Sequence, residues 1–195
     1  MGPSAIASTA VIALGLALAA VGVLAYAVAL YNGLVQVRHQ VDQAWANIDV
    51  LLRQRHAELP ALIAAVAAYS VHEHGLLERV TALRSQARDA ASSADRLAGE
   101  RALSRGVAQL LAVAERQPAL RAQPLFGELQ ARIAALESQI AQRRAYYNDA
   151  VNLNNVRRES FPDRLLAPLA RLVPRPLFVA DAHERADVDI GALPR

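Results

Sequence analysis

From Met1 to Val37 there is not one charged side chain, and within this stretch AIASTAVIALGLALAAVGVLAYAVAL, Ala5 to Leu30, has only Ser8 and Thr9 as clearly polar members. No other feature restricts the fold so strongly. As a helix rising about 1.5 Å per residue the run would be roughly 39 Å long, against about 30 Å of bilayer hydrocarbon, so it can cross a membrane with tilt to spare. A cleaved signal peptide would carry a basic leading region and a shorter apolar stretch of roughly 7 to 15 residues, and neither is present. The run therefore predicts a transmembrane anchor over 1–30, with residues 5–30 in the lipid bilayer. Arg38 is the nearest charge, which by the positive-inside rule favours a single-pass protein of the cell membrane with its soluble domain in the cytoplasm.

Beyond the anchor the apolar residues recur at helical spacing. Leu34, Val37, Val41, Ala44, Ile48, Leu51 and Arg55 follow one another in steps of three and four, and Trp45 and Leu52 widen that seam. No glycine or proline lies between Leu34 and Leu59, so the membrane helix is expected to continue into water without a linker. Its apolar residues should pack inward, while Arg53 and Arg55 offer charge outward. Pro60 lacks an amide donor and should kink the helix or begin a new one. The pattern resumes through Leu62, Val66, Tyr69, Leu76, Val80, Leu83 and Ala87, is interrupted at Glu73, and ends at the turn DAASSAD. A third helix over about 96–116 buries Leu103, Val107, Leu110 and Ala114, with Gly99 and Gly106 each weakening it by roughly 1 kcal/mol relative to alanine. After QPALRAQP a fourth carries Phe126, Leu129, Ile133, Leu136, Ile140, Tyr147 and Ala150 on one stripe and should stop near Glu159, before Phe161 and Pro162.

With 54% hydrophobic but only 5% aromatic residues, the core is built from alanine, leucine and valine, which suits closely packed helices. The expected fold is all-α: an N-terminal transmembrane helix continuing into an elongated antiparallel bundle of three to four long helices over 31–160, then a Pro-rich C-terminal tail over 161–195. In that tail, DRLLAPLARLVPRPLF from Asp163 to Phe178, prolines forbid a long helix, and short turns could gather the leucines with arginines beside them, either against lipid or against the bundle.

YNGLVQVRHQVDQAW from Tyr31, continuing with NIDVLLRQRHAELPALIAAVAAYSVHE to Glu73, resembles the LemA family of bacterial membrane proteins, and RRAYYNDAVNLNN, ending at Asn155, is similar to that family's second marked block. The resemblance covers roughly residues 31 to 190. Matching positions include Tyr31, Asn32, Arg38, Trp45, Asp49, Arg55, Pro60, Tyr69, His72, Glu73, Tyr147 and Asn148. Membership implies an N-terminal transmembrane helix followed by an elongated helical bundle, and implies no particular activity. The QPALRAQPLF and PLARLVPRPLF segments depart from the usual family sequence, which bears on the loop and tail rather than on the helices.

The chemistry-bearing residues are few. There is no cysteine and no lysine, which excludes disulfides, thiol nucleophiles, Schiff-base lysines and the lysine of a phosphate loop. The 21 arginines and 18 carboxylates are interspersed, without a basic run to track nucleic acid, so no nucleic-acid partner is expected. HEH, His72 to His74, offers metal-binding residue types, yet residues two apart point to opposite sides of a helix, so one helix cannot aim both imidazoles at one ion. A metal-assisted hydrolase would need His72 or Glu73 to meet His39 or His56 across helices. Asp49 either pairs with Arg53 on its own helix or reaches Arg143 or Arg144 on the fourth. The amides of YYND and NLNN, with Tyr147 and Asn148, suggest hydrogen bonds between helices first, then a partner surface or a frayed end.

No residue set fills the requirements of a reaction, so the chain is expected to be no enzyme and to need no cofactor. The favoured reading is a membrane-anchored scaffold or adaptor with protein partners at the membrane. The alternatives are the hydrolase around His72 and Glu73 and a self-assembling coiled-coil homo-oligomer. Trp45, Asp49, Arg55, Tyr69, His72, Glu73, Tyr147 and Asn148 stand out as partner-binding or structural positions.

Overall fold

The computed structural model describes residues 3–69 and 73–178, and among these every regular element is a helix. They are α1 (Pro3–Ala67), α2 (His74–Arg88), α3 (Ser93–Glu115), the single turn α4 (Pro118–Arg121), α5 (Pro124–Glu159) and the single turn α6 (Asp163–Leu166). The sequence signals lie where the elements begin. Ser92 caps α3 by accepting from the Asp95 amide at 3.1 Å, satisfying one free donor and placing a carboxylate at the positive end of the helix. Pro118 and Pro124 each open a helix, where the missing amide costs nothing. The chain forms two compact units, Met1–Asp42 with Ala150–Arg175 and Gln43–Asp149 with Pro176–Arg195.

In the larger unit, Leu59, Leu62 and Val66 of α1, Leu77 and Val80 of α2, Leu103, Val107 and Leu110 of α3, and Phe126, Leu129 and Ile133 of α5 form one buried core. The polar contacts give the directions. Asp49 meets Arg96 and Arg55 meets Ser104, so α1 and α3 run the same way. Trp45 lies against Tyr147 and Glu58 pairs with Arg132, so α5 runs opposite to α1. A methyl group on Gly99 would touch Ala87 and one on Gly106 would touch Val80, which sets α2 antiparallel to α3. Up, down, up, down is the topology expected when short turns join helices with one apolar stripe each.

The glycines of α3 serve that packing. A Cβ at Gly99 would lie 2.9 Å from Ala87 Cα, and one at Gly106 would lie 3.2 Å from a Val80 methyl. They allow α2 and α3 to approach closely, which outweighs their poor helix propensity.

Pro60 neither ends α1 nor starts a new helix, since α1 continues to Ala67 with the proline inside it and its ring exposed. Leu62 and Val66 therefore belong to α1. The carbonyl that loses its helical donor is that of His56, four residues earlier. Arg84 of α2 supplies the substitute: its Nε donates to His56 O at 3.0 Å.

In the smaller unit Leu34 is buried with Ala167, Ala170 and Leu172, and Tyr31, Val35 and Leu166 flank them. Short turns do gather the tail's apolar residues, as the prolines require. The turns close with Arg171 in the left-handed region at φ 54°, with Leu172 N donating to Ala167 O at 3.0 Å and Arg171 N to Pro168 O at 3.1 Å. This is a Schellman motif carrying an arginine where glycine is usual. Arg38 reaches across to Ala170 O at 3.2 Å, Arg157 pairs with Asp163 at 2.6 Å, and Arg175 pairs with Asp42 at 2.9 Å.

Candidate functional site

The polar heart of the larger unit is a buried cluster around Arg55. Its side chain and that of Glu100 are both 0% exposed and are directly paired. Arg55 Nη1 also donates to Glu137 Oε1 at 2.7 Å and to Ser104 Oγ at 2.5 Å, and Ser104 Oγ in turn donates to Glu137 Oε2 at 2.9 Å. Arg144 Nη2 donates to Ser104 Oγ at 3.2 Å, and His56 Nε2 meets Glu100 Oε1 at 2.9 Å. Three helices thus contribute, α1 through Arg55 and His56, α3 through Glu100 and Ser104, and α5 through Glu137 and Arg144.

Arg55 was expected to face outward with Arg53, but only Arg53 does so. The reason is phase: Arg55 lies three residues after Leu52 and four before Leu59, both fully buried, so it shares their stripe. A buried ion pair attracts strongly but loses hydration on both sides, and it is tolerated only when the remaining polar positions are satisfied. Burial opposes ionisation of Glu100, yet the His56 hydrogen bond and the Arg55 charge outweigh it and hold the carboxyl below its ordinary value. Glu100 is thereby a fixed anion, suited to locking three helices in register rather than to exchanging protons.

A second group stands beside it. Asp49 is buried and accepts from Arg53 of its own helix and from Arg96 of α3. The i, i+4 pairing with Arg53 was anticipated; the cross-helix partner is on α3, not Arg143 or Arg144 on α5, because α3 presents Arg96 beside this turn of α1. Arg96 also lies 5.2 Å over the ring of Trp45, which is half-buried and 5.6 Å from Tyr147. Asp49, Arg53, His56, Ala57, Arg84, Arg88 and Arg96 line an open cleft of about 560 Å³ between α1, α2 and α3.

Asn148, Asn154 and Asn155 of α5 hold the extended segment that follows rather than another helix. In the larger unit Asn148 clasps the backbone of Phe178, donating to its carbonyl at 2.8 Å and accepting from its amide at 2.7 Å, while Tyr147 donates to Pro176 O at 3.1 Å. In the smaller unit Asn155 does the same to Arg175 at 3.1 and 3.2 Å, and Asn154 donates to Val173 O at 3.0 Å. A chain segment with proline at 174 and 176 cannot form its own ladder, so its backbone groups need side-chain partners, and a primary amide has one donor side and one acceptor side to match.

The other sequence candidates do not converge on a site. His72 lies outside the described residues. Glu73 precedes α2 without capping it, His39 is exposed, and His56 is committed to Glu100. Among the described residues no three histidines or carboxylates come together as metal ligands. Tyr69 is exposed beyond α1 and lines an apolar hollow of about 260 Å³ with Leu125, Phe126 and Leu129. His56, Glu100, Ser104, Glu137 and Arg144 escaped the sequence reading as a set. The signal was there: Glu100 falls midway between Leu97 and Leu103, and Glu137 adjoins Leu136, so each apolar stripe carries one charge at the level of Arg55.

These features define an all-helical protein with an apolar N-terminal helix and a bundle keyed by a buried arginine cluster. The model of the LemA family matches residues 44–191, and the chain belongs to that family. No curated protein matches it.

Proposed function

We propose that the chain is a membrane-anchored scaffold or adaptor of the cell envelope, without catalytic activity of its own, that presents its helical bundle to protein partners at the bilayer. The observation that carries this reading is the start of α1. From Val11 the helix is apolar enough to cross a membrane, with a mean hydropathy of 2.5 over its most apolar stretch and none of that stretch buried within the protein. A soluble core helix of that composition would be covered, and leaving it in water would forgo roughly 2 kcal/mol for each large apolar side chain. The buried cluster supports a structural role, because Arg55, His56, Glu100 and Glu137 are paired with one another across helices. Anchoring would confine the bundle to the membrane surface and raise its effective concentration toward partners there.

The tail supports the same reading. Phe161, Leu165, Leu169 and Val173 recur every four residues and are all exposed, with the arginines 164 and 171 among them. Their opposite side is fixed to Leu34, four residues beyond the last residue of the apolar run. This face fits the headgroup region of an anionic leaflet. In this reading Arg38, beside the apolar run, favours the cytoplasmic side for the soluble domain.

The test is extraction of the full-length protein from membranes. Resistance to carbonate and high salt, with release by detergent, is expected; release by carbonate alone overturns the anchor. Crosslinking in intact cells followed by co-purification then identifies the partners, and the mass of the detergent-solubilised protein separates an adaptor from a self-assembling oligomer.

A further inference from the structure

Arginines converge on the cleft between α1, α2 and α3 from all three helices. Arg53, Arg84, Arg88 and Arg96 line it with a single carboxylate, Asp49. Four cations against one anion leave an excess of three positive charges over a lining of seven residues, in a chain whose whole net charge is only +3. Of the neighbouring carboxylates, Glu100, behind His56, is paired with Arg55, and Asp89 is an exposed partner of Arg88 at 3.5 Å, which reduces the excess to two.

Two of the lining groups each have one buried nitrogen without a hydrogen-bond partner. His56 is buried and holds Glu100 through Nε2, while its Nδ1 has no hydrogen-bond partner; Arg96 pairs with Asp49 through Nη2, while its buried Nε has none. Buried polar atoms without partners are uncommon in a native protein. Arg84 is held in place by the single bond from Nε to the His56 carbonyl, which directs a pre-positioned guanidinium to the cleft. Pro60 created the need for that bond, so the interruption in α1 and the placement of the cation have one cause.

We propose that this cleft is an anion-binding site for a phosphoryl group, carried either by a small soluble molecule or by a lipid headgroup. Guanidinium forks match the paired oxygens of phosphate, and a dianion matches an excess of two charges better than a single carboxylate does.

The probe is pyrophosphate, titrated calorimetrically into the full-length protein in nanodiscs of neutral lipid. Saturable one-site binding that weakens with salt is expected, because the contacts are charge-assisted and partly exposed. Replacing Arg84 and Arg88 together with glutamine should weaken binding by about tenfold or more, whereas replacing the exposed Arg121 of α4 with glutamine should leave it unchanged. Arg88→Gln alone, at an exposed position outside the packed core, guards against loss of folding and should also weaken binding, with Arg88→Lys recovering part of the affinity. Nanodiscs containing phosphatidic acid distinguish the sources: competition with pyrophosphate assigns the site to a headgroup, and undiminished pyrophosphate binding assigns it to a soluble ligand. Absence of saturable binding at millimolar pyrophosphate, or equal binding by the folded Arg88→Gln protein and the wild type, overturns the proposal.

Discussion

Replacing Arg55 with leucine removes a cation paired with both Glu100 and Glu137. Among the described residues Glu100, fully buried, would keep His56 as its partner, while Glu137 is partly exposed and keeps Ser104. The cost is therefore dominated by one stranded carboxylate, about 3 to 5 kcal/mol. For a bundle of this size that is a fall in melting temperature of roughly 10 to 20 °C. The double variant Arg55→Leu with Glu100→Leu removes the pair together and should recover most of the loss, because a desolvated ion pair gains little over well-packed apolar groups.

The pH dependence follows with its sign. The folded Glu100 carboxyl is held below its ordinary value, so its contribution to stability is fully present above the unfolded pKa of about 4.3 and is lost as pH falls through the folded value. In Arg55→Leu the principal cation is gone and burial favours the protonated acid, so the penalty of the substitution should be smaller at pH 4 than at pH 7. The assay is urea unfolding of the full-length protein in detergent at pH 7 and pH 4, read by Trp45 fluorescence. A loss under about 1 kcal/mol for the single variant, or an equal loss for the double, refutes the view that the cluster is an interdependent buried network.

Four further outcomes are expected. Arg84→Ala should cost about 1 to 2 kcal/mol by freeing the His56 carbonyl, and much less in a Pro60→Ala background where the helix supplies its own donor; additivity of the two changes in a double-mutant cycle would refute the link. Gly99→Ala should destabilise by about 1 to 3 kcal/mol despite alanine's better helix propensity, since its methyl meets α2 backbone, and chemical denaturation measures this. Arg171→Gly should stabilise the smaller unit by about 1 kcal/mol by removing the left-handed penalty, seen as slower amide exchange at Leu172. Trp45→Ala should cost less than the roughly 3 to 5 kcal/mol of a fully buried indole, and partial quenching of its emission by acrylamide would match its half-buried setting.

The spacing of apolar residues and the position of turn formers determined the all-α class, the ends of α3 and α5 and the apolar start, because these depend on local periodicity and on the cost of placing a helix face in water, while α3 begins at Ser93, inside the stretch read as a turn. The LemA family, too, was legible in the ordered positions from Tyr31 to Glu73 and around Tyr147. Whether a polar residue inside such a stripe is a defect or a partner depends on what the neighbouring helices bring to the same level, and no single helix contains that information. Arg55 is a buried key only because Glu100, Ser104 and Glu137 stand opposite it; Pro60 is tolerated with Arg84 at the His56 carbonyl; Gly99 is needed only because Ala87 lies against it. Asn148 and Asn155, read as helix-bridging amides, hold extended backbone that lies some twenty to thirty residues further along the chain. Electrostatic and hydrogen-bond partnerships of this kind join residues remote in sequence at distances of a few ångströms, and tertiary packing alone decides them.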